Sequence, residues 1–372
     1  MEQTVKRVAD VVIEEVYKKG VDTVFTLTGG GAMFLNDAVA LHKEIKVVCN
    51  HHEQACAMGA VAYSKAKNNY GLVVVTTGCG ATNTITGLLE AWQDNIPVVF
   101  ISGQVNLHQT SKQFGLRQLG VQEADIVSIV KPITKYAKML KDPSKVLYEI
   151  QKCLHIAKDG RPGPVWLDIP MDIQSKKVNV QELKKYRKPI KKDKQVHDIE
   201  CLLESSKRPV ILAGNGIKLS NAEKNLENFL EKTKIPLVTT FLAADVVGCE
   251  KNYNIGRVGV KGSRAGNFVM QNADLLIVIG SRLSVPVTGY IYENFAREAK
   301  IVVVDIDPNE HQKNTVRIDR FIKEDANEFL KQSLSVKYVC PNFWTQKCAE
   351  WKHKWNSIQE KHLNKEDGIS LY

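Results

Sequence analysis

The sequence predicts an α/β fold of two doubly wound domains with mainly parallel sheets. Three observations lead there. At 372 residues the chain is too long for one typical core. Its strand candidates are continuous apolar runs, the pattern of strands covered on both faces by crossover helices. The strand–helix rhythm also stops once, at a lysine-rich stretch, and then restarts. With 44% hydrophobic and 25% charged residues, the composition is that of an ordinary globular protein.

The first twenty residues, MEQTVKRVADVVIEEVYKKG, set Val5, Val8, Ala9, Val12, Ile13 and Val16 at helical spacing, which reads as an amphipathic helix and not a signal peptide. Strands follow at VFTLT (24–28), IKVVC (45–49), LVVVTT (72–77), PVVFIS (97–102) and PVWLDI (164–169). Beyond Gln174 the text becomes KKVNVQELKKYRKPIKKDK, and Pro189 within it supports a linker. The rhythm resumes with RPVILAGNG (208–216), IPLVTT (235–240), ADLLIVIGSR (273–282) and KIVVVDIDP (300–308). The expected organisation is a first domain over 1–175, a linker over 176–195, a second α/β domain over 196–335 and a helical tail over 336–372. Trp344, Trp351 and Trp355 recur at roughly helical spacing in that tail, a stripe that reads as packing.

Charge and cysteine usage narrow the function classes. The net charge of +10 comes from lysines that are scattered apart from the run Lys176 to Lys194, a solvated surface more than a patch for nucleic acid. The uncharged stretch 71–89 holds five threonines and several glycines, so no membrane span is expected. Eight cysteines without a CxxC pair point to a reduced, cytoplasmic chain.

Glycine-rich turns after strands are the first chemical candidates: Thr28-Gly29-Gly30-Gly31, Thr77-Gly78-Cys79-Gly80-Ala81-Thr82-Asn83 and Gly214-Asn215-Gly216. Such turns bring backbone close to a ligand at the carboxyl ends of a parallel sheet. None is a P-loop, and the 78–83 turn lacks the third glycine and the acidic strand end of a dinucleotide fingerprint. The second candidate is His51-His52-Glu53, between a strand and a helix of small residues. Adjacent histidines point apart, unlike the i, i+4 pair of a zinc helix, so a metal is disfavoured. Glu53 reads either as a helix-start charge or as a catalytic carboxylate. Asp168, Asp305 and Asp307 end strands and either orient a ligand or cap a turn.

Taken together, HHEQACAMGAVAYSKA, TTGCGATNTITGLLEAWQDNIPVVFISGQV, VQEADIVSIVKPITKY and RPGPVWLDIPMDIQ resemble the pyrimidine-binding domain of thiamine-diphosphate enzymes, in particular the acetolactate synthase large subunit. RPVILAGNGI, IGRVGVKG, NADLLIVIGSRL and VVVDIDPNE are similar to that family's central domain. The resemblance implies that Glu53 hydrogen-bonds N1′ of the aminopyrimidine and favours the imino tautomer, whose nitrogen removes the thiazolium C2 proton. A 2-keto acid such as pyruvate then loses CO₂, and the remaining unit joins a second carbonyl. It implies that Gln122 is an active-site glutamine and that Thr77, Gly78, Gly80 and Asn83 line the coenzyme. It further implies a dimer or tetramer, because the glutamate reaches coenzyme held by another subunit.

For FAD the resemblance implies Arg161, Gly214, Gly216, Thr240, Lys261, Arg282 and Asp305, although Ser284-Val285-Pro286-Val287 replaces an arginine-containing segment of flavin-binding relatives. The family's Mg²⁺ and diphosphate ligands lie in a GDG segment, and no GDG occurs in this sequence. The expectation is therefore an enzyme incomplete without a diphosphate-binding domain, which a separate chain would supply. Thr28, Val121 and Met171 depart from the acetolactate synthase wording at acceptor-side positions. TGGGAMFLND and LRQLGVQEADI instead look like relatives from surface-sugar gene clusters, some of which add an acetyl unit to a nucleotide-linked keto sugar. A non-catalytic remnant or a regulatory flavin- or nucleotide-binding subunit is the alternative of a different class.

Overall fold

The computed structural model describes residues 4–189 and 199–355. They fall in two units, Met1–Lys191 and Lys192–Tyr372. Of the expected linker, 190–195 lies outside the described residues, as does 356–372 of the expected helical tail.

The first unit carries strands β1 (Val5–Arg7), β2 (Thr23–Thr26), β3 (Lys46–Cys49), β4 (Gly71–Val75), β5 (Val98–Gln104), β6 (Tyr136–Met139), β7 (Val165–Pro170) and β8 (Lys177–Asn179). Its helices include α1 (Val8–Tyr17), α2 (Met33–Leu41), α3 (Glu53–Lys67), α4 (Cys79–Thr82), α5 (Ile85–Gln93), α6 (Ile126–Val130) and α7 (Val146–Lys158). Six strands form one sheet in the order β3-β2-β4-β5-β7-β6, every neighbour parallel.

Side-chain alternation divides the strands between two cores. Leu72, Val74, Val99, Ile101, Val165 and Leu167 pack with α1, α2 and α7 on one face. Val73, Val75, Val98, Phe100 and Trp166 pack with α3, α5 and α6 on the other. Every residue of β4, β5 and β7 is buried, which is why these strands read as unbroken apolar runs. Each fully buried aliphatic side chain contributes roughly 1.5–3 kcal/mol. On the second face, α3 and α5 approach closely because both are small at the crossing: a Cβ on Gly87 would lie 2.5 Å from that of Ala57.

The second unit has β9 (Pro209–Ala213), β10 (Leu237–Thr239), β11 (Asn254–Arg257), β12 (Leu275–Ile279), β13 (Lys300–Asp305) and β14 (Arg320–Lys323). They make a parallel sheet in the order β11-β10-β9-β12-β13-β14, the 3-2-1-4-5-6 order of dinucleotide-binding folds. The tryptophan stripe is packing: Trp344 is buried and donates Nε1–H to the Pro209 carbonyl at 3.1 Å. Trp351 meets Trp344 edge-on at 5.9 Å and stacks on Trp355.

Two of the expected segments differ in the structure. Residues 177–179, expected within the linker, pair antiparallel with Val5–Arg7. Residues 46–49, expected to be covered on both faces, form an edge strand with Lys46, Val47 and Cys49 exposed.

Candidate functional site

Three loops at the carboxyl ends of β3, β4 and β5 converge on the face carried by α3, α5 and α6, where ligands of open α/β sheets bind. The first is Asn50–His52. His52 is extended, and its Nδ1 accepts from the Gln54 amide at 3.1 Å, so this imidazole caps α3. His51 is exposed. Among the described residues no group of three or more His, Cys, Asp or Glu stands together as a metal site.

Glu53 opens α3 with its side chain buried, at the positive end of the helix dipole. Asn83 Nδ2 donates to its Oε2 at 2.9 Å. A Cβ on Gly80 would come within 3.2 Å of Oε1, so this glycine leaves the carboxylate its space. The second loop, 76–83, winds into α4, with Thr82 and Asn83 amides donating to Gly78 and Cys79 carbonyls at 2.9 Å. Gly78 has φ +64° and ψ −118°, a backbone that side-chain-bearing residues avoid. Thr77 is buried, and its Oγ1 is without a hydrogen-bond partner. A buried hydroxyl of that kind is a polar group awaiting a ligand or water.

The third loop runs from β5 to α6 and carries Gln122. Its side chain is exposed, and its backbone is left-handed at φ +60°, which costs about 1–2 kcal/mol for a residue with a Cβ. The Gln122 carbonyl presses on Gly78, where a Cβ would lie only 2.1 Å from its oxygen. The fold thus brings Glu53, Gly80 and Asn83 into one set of contacts and seats Gln122 beside it on Gly78. These features fit the aminopyrimidine end of the coenzyme. A carboxylate is buried and held, glycines leave room, and the Thr77 hydroxyl is unspent.

Sequence reasoning did not find the support under this loop. Asp168 lies within β7, fully buried, and neither orients an exposed ligand nor caps a turn. It accepts from Ser102 Oγ at 2.6 Å and Gln104 Nε2 at 3.1 Å, and Ser102 accepts from Trp166 Nε1 at 2.8 Å. Burial pushes its carboxyl up to about 7, against the two hydrogen bonds. The available signal was three polar residues interrupting the apolar runs, Ser102 and Gln104 at alternating positions of β5 and Asp168 in β7.

In the second unit, Gly214 and Gly216 follow β9 and abut the turn after β12. A Cβ on Gly214 would lie 2.2 Å from the Gly280 oxygen. Thr240 is buried after β10 with its amide on the Ala213 carbonyl, and Lys261 is exposed after β11. Arg282 and Asp305 line one groove with Glu310, His311, Lys313 and Phe321. There the His311 ring stacks on Phe321 with its centroid at 4.7 Å, and its Nδ1 is buried without a partner. Asp307 caps the next helix through the Asn309 amide. Arg161 belongs to the first unit, with Nε on Asn95 Oδ1 at 2.6 Å. The groove therefore gathers two of the residues expected to hold FAD. The glycines at 214 and 216 answer to close backbone packing.

Two family models match this chain. One, described as thiamine pyrophosphate enzyme, N-terminal TPP binding domain, covers residues 6–129; the other, thiamine pyrophosphate enzyme, central domain, covers 196–333. The chain is 35% identical over 340 residues to a probable acetolactate synthase large subunit of Methanocaldococcus jannaschii, covering 88% of this chain and 56% of that protein. It is 33% identical over 369 residues to the acetolactate synthase large subunit of Cyanidium caldarium, covering 94% and 61%. To that of Lactococcus lactis it is 32% identical over 357 residues, covering 93% and 60%. The chain thus spans about three fifths of the length of these relatives.

Proposed function

This chain belongs to the thiamine pyrophosphate enzyme family, and from that premise we propose that it is part of a carboligase of acetolactate synthase type, taking a 2-keto acid such as pyruvate as donor and a carbonyl compound as acceptor. The observation that carries the proposal is the buried Glu53 carboxylate, held by Asn83 against the glycine turn 78–83. Thiamine diphosphate, when bound, supplies the nucleophilic carbon and the electron sink for loss of CO₂. Glu53 holds and passes a proton at its free Oε1. Asn83 fixes the rotamer of that carboxylate, and the space left at Gly80 admits the aminopyrimidine. Gln122 projects from a strained loop beside this turn, suited to orienting donor or acceptor. The Mg²⁺ and diphosphate are held by residues outside this sequence, in the same polypeptide or a companion chain.

A second copy of the chain covers the exposed face beside Glu53. The support is four exposed apolar side chains on β3, α3 and α5: Val47, Met58, Leu89 and Trp92. FAD is assigned to the second-unit groove on the strength of Arg282, Asp305 and the unpartnered His311 nitrogen. Flavin absorbance in the purified protein tests this, and a colourless protein counts against it. A cytoplasmic location is supported by eight free cysteines. No helix among the described residues is long and apolar enough to cross a membrane.

The decisive experiment measures CO₂ release from pyruvate by the chain with thiamine diphosphate, Mg²⁺ and a polypeptide carrying the family's GDG segment. Glu53→Gln is expected to lower the rate by about a hundredfold or more. Full activity in that variant refutes the assigned role. Nucleotide-linked keto sugars belong among the acceptors tried, because Val121, 84% exposed beside Gln122, departs from the acetolactate synthase wording on the acceptor side.

A further inference from the structure

We propose that Gln104 and Asp168 are positioning residues for Gln122: the buried chain Trp166–Ser102–Asp168–Gln104 ends on the Ala124 carbonyl and holds the 105–125 loop in the conformation that seats Gln122 against Gly78. For its catalytic consequence the inference rests on the reading of Gln122 given above.

Registry makes the chain. Ser102 of β5 stands opposite Asp168 of β7, and Phe100 opposite Trp166, so four alternating positions put the polar and aromatic groups on one face. Phe100 and Trp166 stack at 5.2 Å and close one end from water. Both hydrogens of the Gln104 amide are spent, one on Asp168 Oδ2 at 3.1 Å and one on the Ala124 carbonyl at 2.9 Å. Its oxygen accepts from the Val105 amide at 3.0 Å. Gln104 can turn over only by losing all of these at once, and in a buried site each loss leaves an unpaired polar group.

The loop needs such an anchor. Its outer part is gathered on Glu123, whose carboxylate accepts from the amides of Ser111 at 2.6 Å, Leu119 at 2.8 Å and Gly120 at 3.3 Å. Those contacts draw residues 111–120 together but tie them only to one another. Phe114, Leu116, Leu119 and Val121 are all exposed. The Gln104–Ala124 hydrogen bond, two residues from Gln122, joins this stretch to the sheet. The left-handed backbone of Gln122 persists because Leu119 and Gly120 before it, on the Glu123 carboxylate, and Ala124 after it, on Gln104, are held.

Hydrogen exchange on the whole chain tests the tether without reference to activity. Gln104→Ala is expected to raise exchange of the 119–124 amides about tenfold, with α1 and β4 unchanged. Gln104→Asn, one methylene shorter, fails to rescue it. A spectroscopic signature accompanies this. Asp168 faces Ser102, Gln104 and Trp166, and the charge of Asp125, itself paired with Lys112, also acts on it. Trp166 fluorescence is expected to titrate near pH 7, and the titration disappears in Asp168→Asn. In the complemented decarboxylation assay, Gln104→Ala lowers kcat, and the Gln104→Ala, Gln122→Ala double variant is no slower than Gln122→Ala alone. Unchanged exchange at 119–124 overturns the tether, whatever the enzyme does. Raised exchange with a fully active Gln122→Ala variant overturns the role of Gln122, and with it the catalytic part of this inference.

Discussion

Two glycine turns, Thr77–Asn83 after β4 and Gly214–Gly216 after β9, look alike in sequence and do different work. Each leaves a central strand of a six-stranded parallel sheet and enters a four-residue helix. In the first, the missing Cβ of Gly80 borders the Glu53 carboxylate, and the Thr77 hydroxyl is left without a partner. In the second, the glycines press on Gly280 backbone, and the Gly216 amide donates to its carbonyl at 2.9 Å. The spare room at Gly80 faces side chains, whereas that at Gly214 and Gly216 is filled by main chain. A Gly-x-Gly after a strand therefore marks close approach. What approaches decides whether the turn is a site.

The comparison breaks most sharply at its glycines. Gly78→Ala forces a Cβ onto the Gln122 carbonyl at a positive φ, and Gly214→Ala forces one onto the Gly280 oxygen. Each is expected to cost about 2–4 kcal/mol in denaturant unfolding. Gly80→Ala separates the turns. Its new methyl meets Thr76 Cγ2 at 2.6 Å and Glu53 Oε1 at 3.2 Å, so decarboxylation is expected to fall more than unfolding stability. Loss of stability with activity per folded molecule retained would place the two turns in one class.

Two aspartates, Asp168 buried and Asp274 half-buried, sharpen the contrast between the units through pH. Asp168 has its folded value raised by burial to about 7, so its contribution is fully present at low pH and is lost as pH rises from about 4 through 7. The effect is of order 4 kcal/mol at most. Asp274 of the second unit has the opposite sign. Burial opposes its charge, but Ser206 and the Lys207 and Arg208 amides outweigh burial and hold it below its ordinary value. Its contribution is present at neutral pH and lost on acidification. Unfolding followed between about pH 2 and 8 in Asp168→Asn should show the slope from about 4 to 7 flattened and the acid-side slope of Asp274 intact. The smallest expected effect is at the mouth of the site: His52→Ala removes the cap on α3 at about 1 kcal/mol, read by thermal unfolding, and leaves Glu53 in place.

Much of the fold was legible because burial on both faces demands apolar residues at every position, as in LVVV of β4 and VVFI of β5. The strands of the two six-stranded sheets that escaped notice, YAKM of β6, NIGR of β11 and RFIK of β14, are all at sheet edges, where one flank meets solvent and polar residues are tolerated. β3 is also an edge, but KVVC is apolar enough to read as interior; its exposed Val47 is part of the face assigned to a second copy.

By itself, then, the sequence determined the two parallel-sheet units, the family and the candidacy of Glu53, because these rest on local pattern and on long ordered motifs. Only the tertiary structure decided which residues meet. It placed Asn83 on Glu53, thirty positions apart, and Gln122 on Gly78. It also turned Asp168 from a strand-end acid into a buried link between Ser102 and Gln104, and it gave His52 to the helix as a cap. Contacts of that kind depend on strand order and register, which no stretch of residues specifies locally, because partners far apart in the chain meet only after the sheet has assembled.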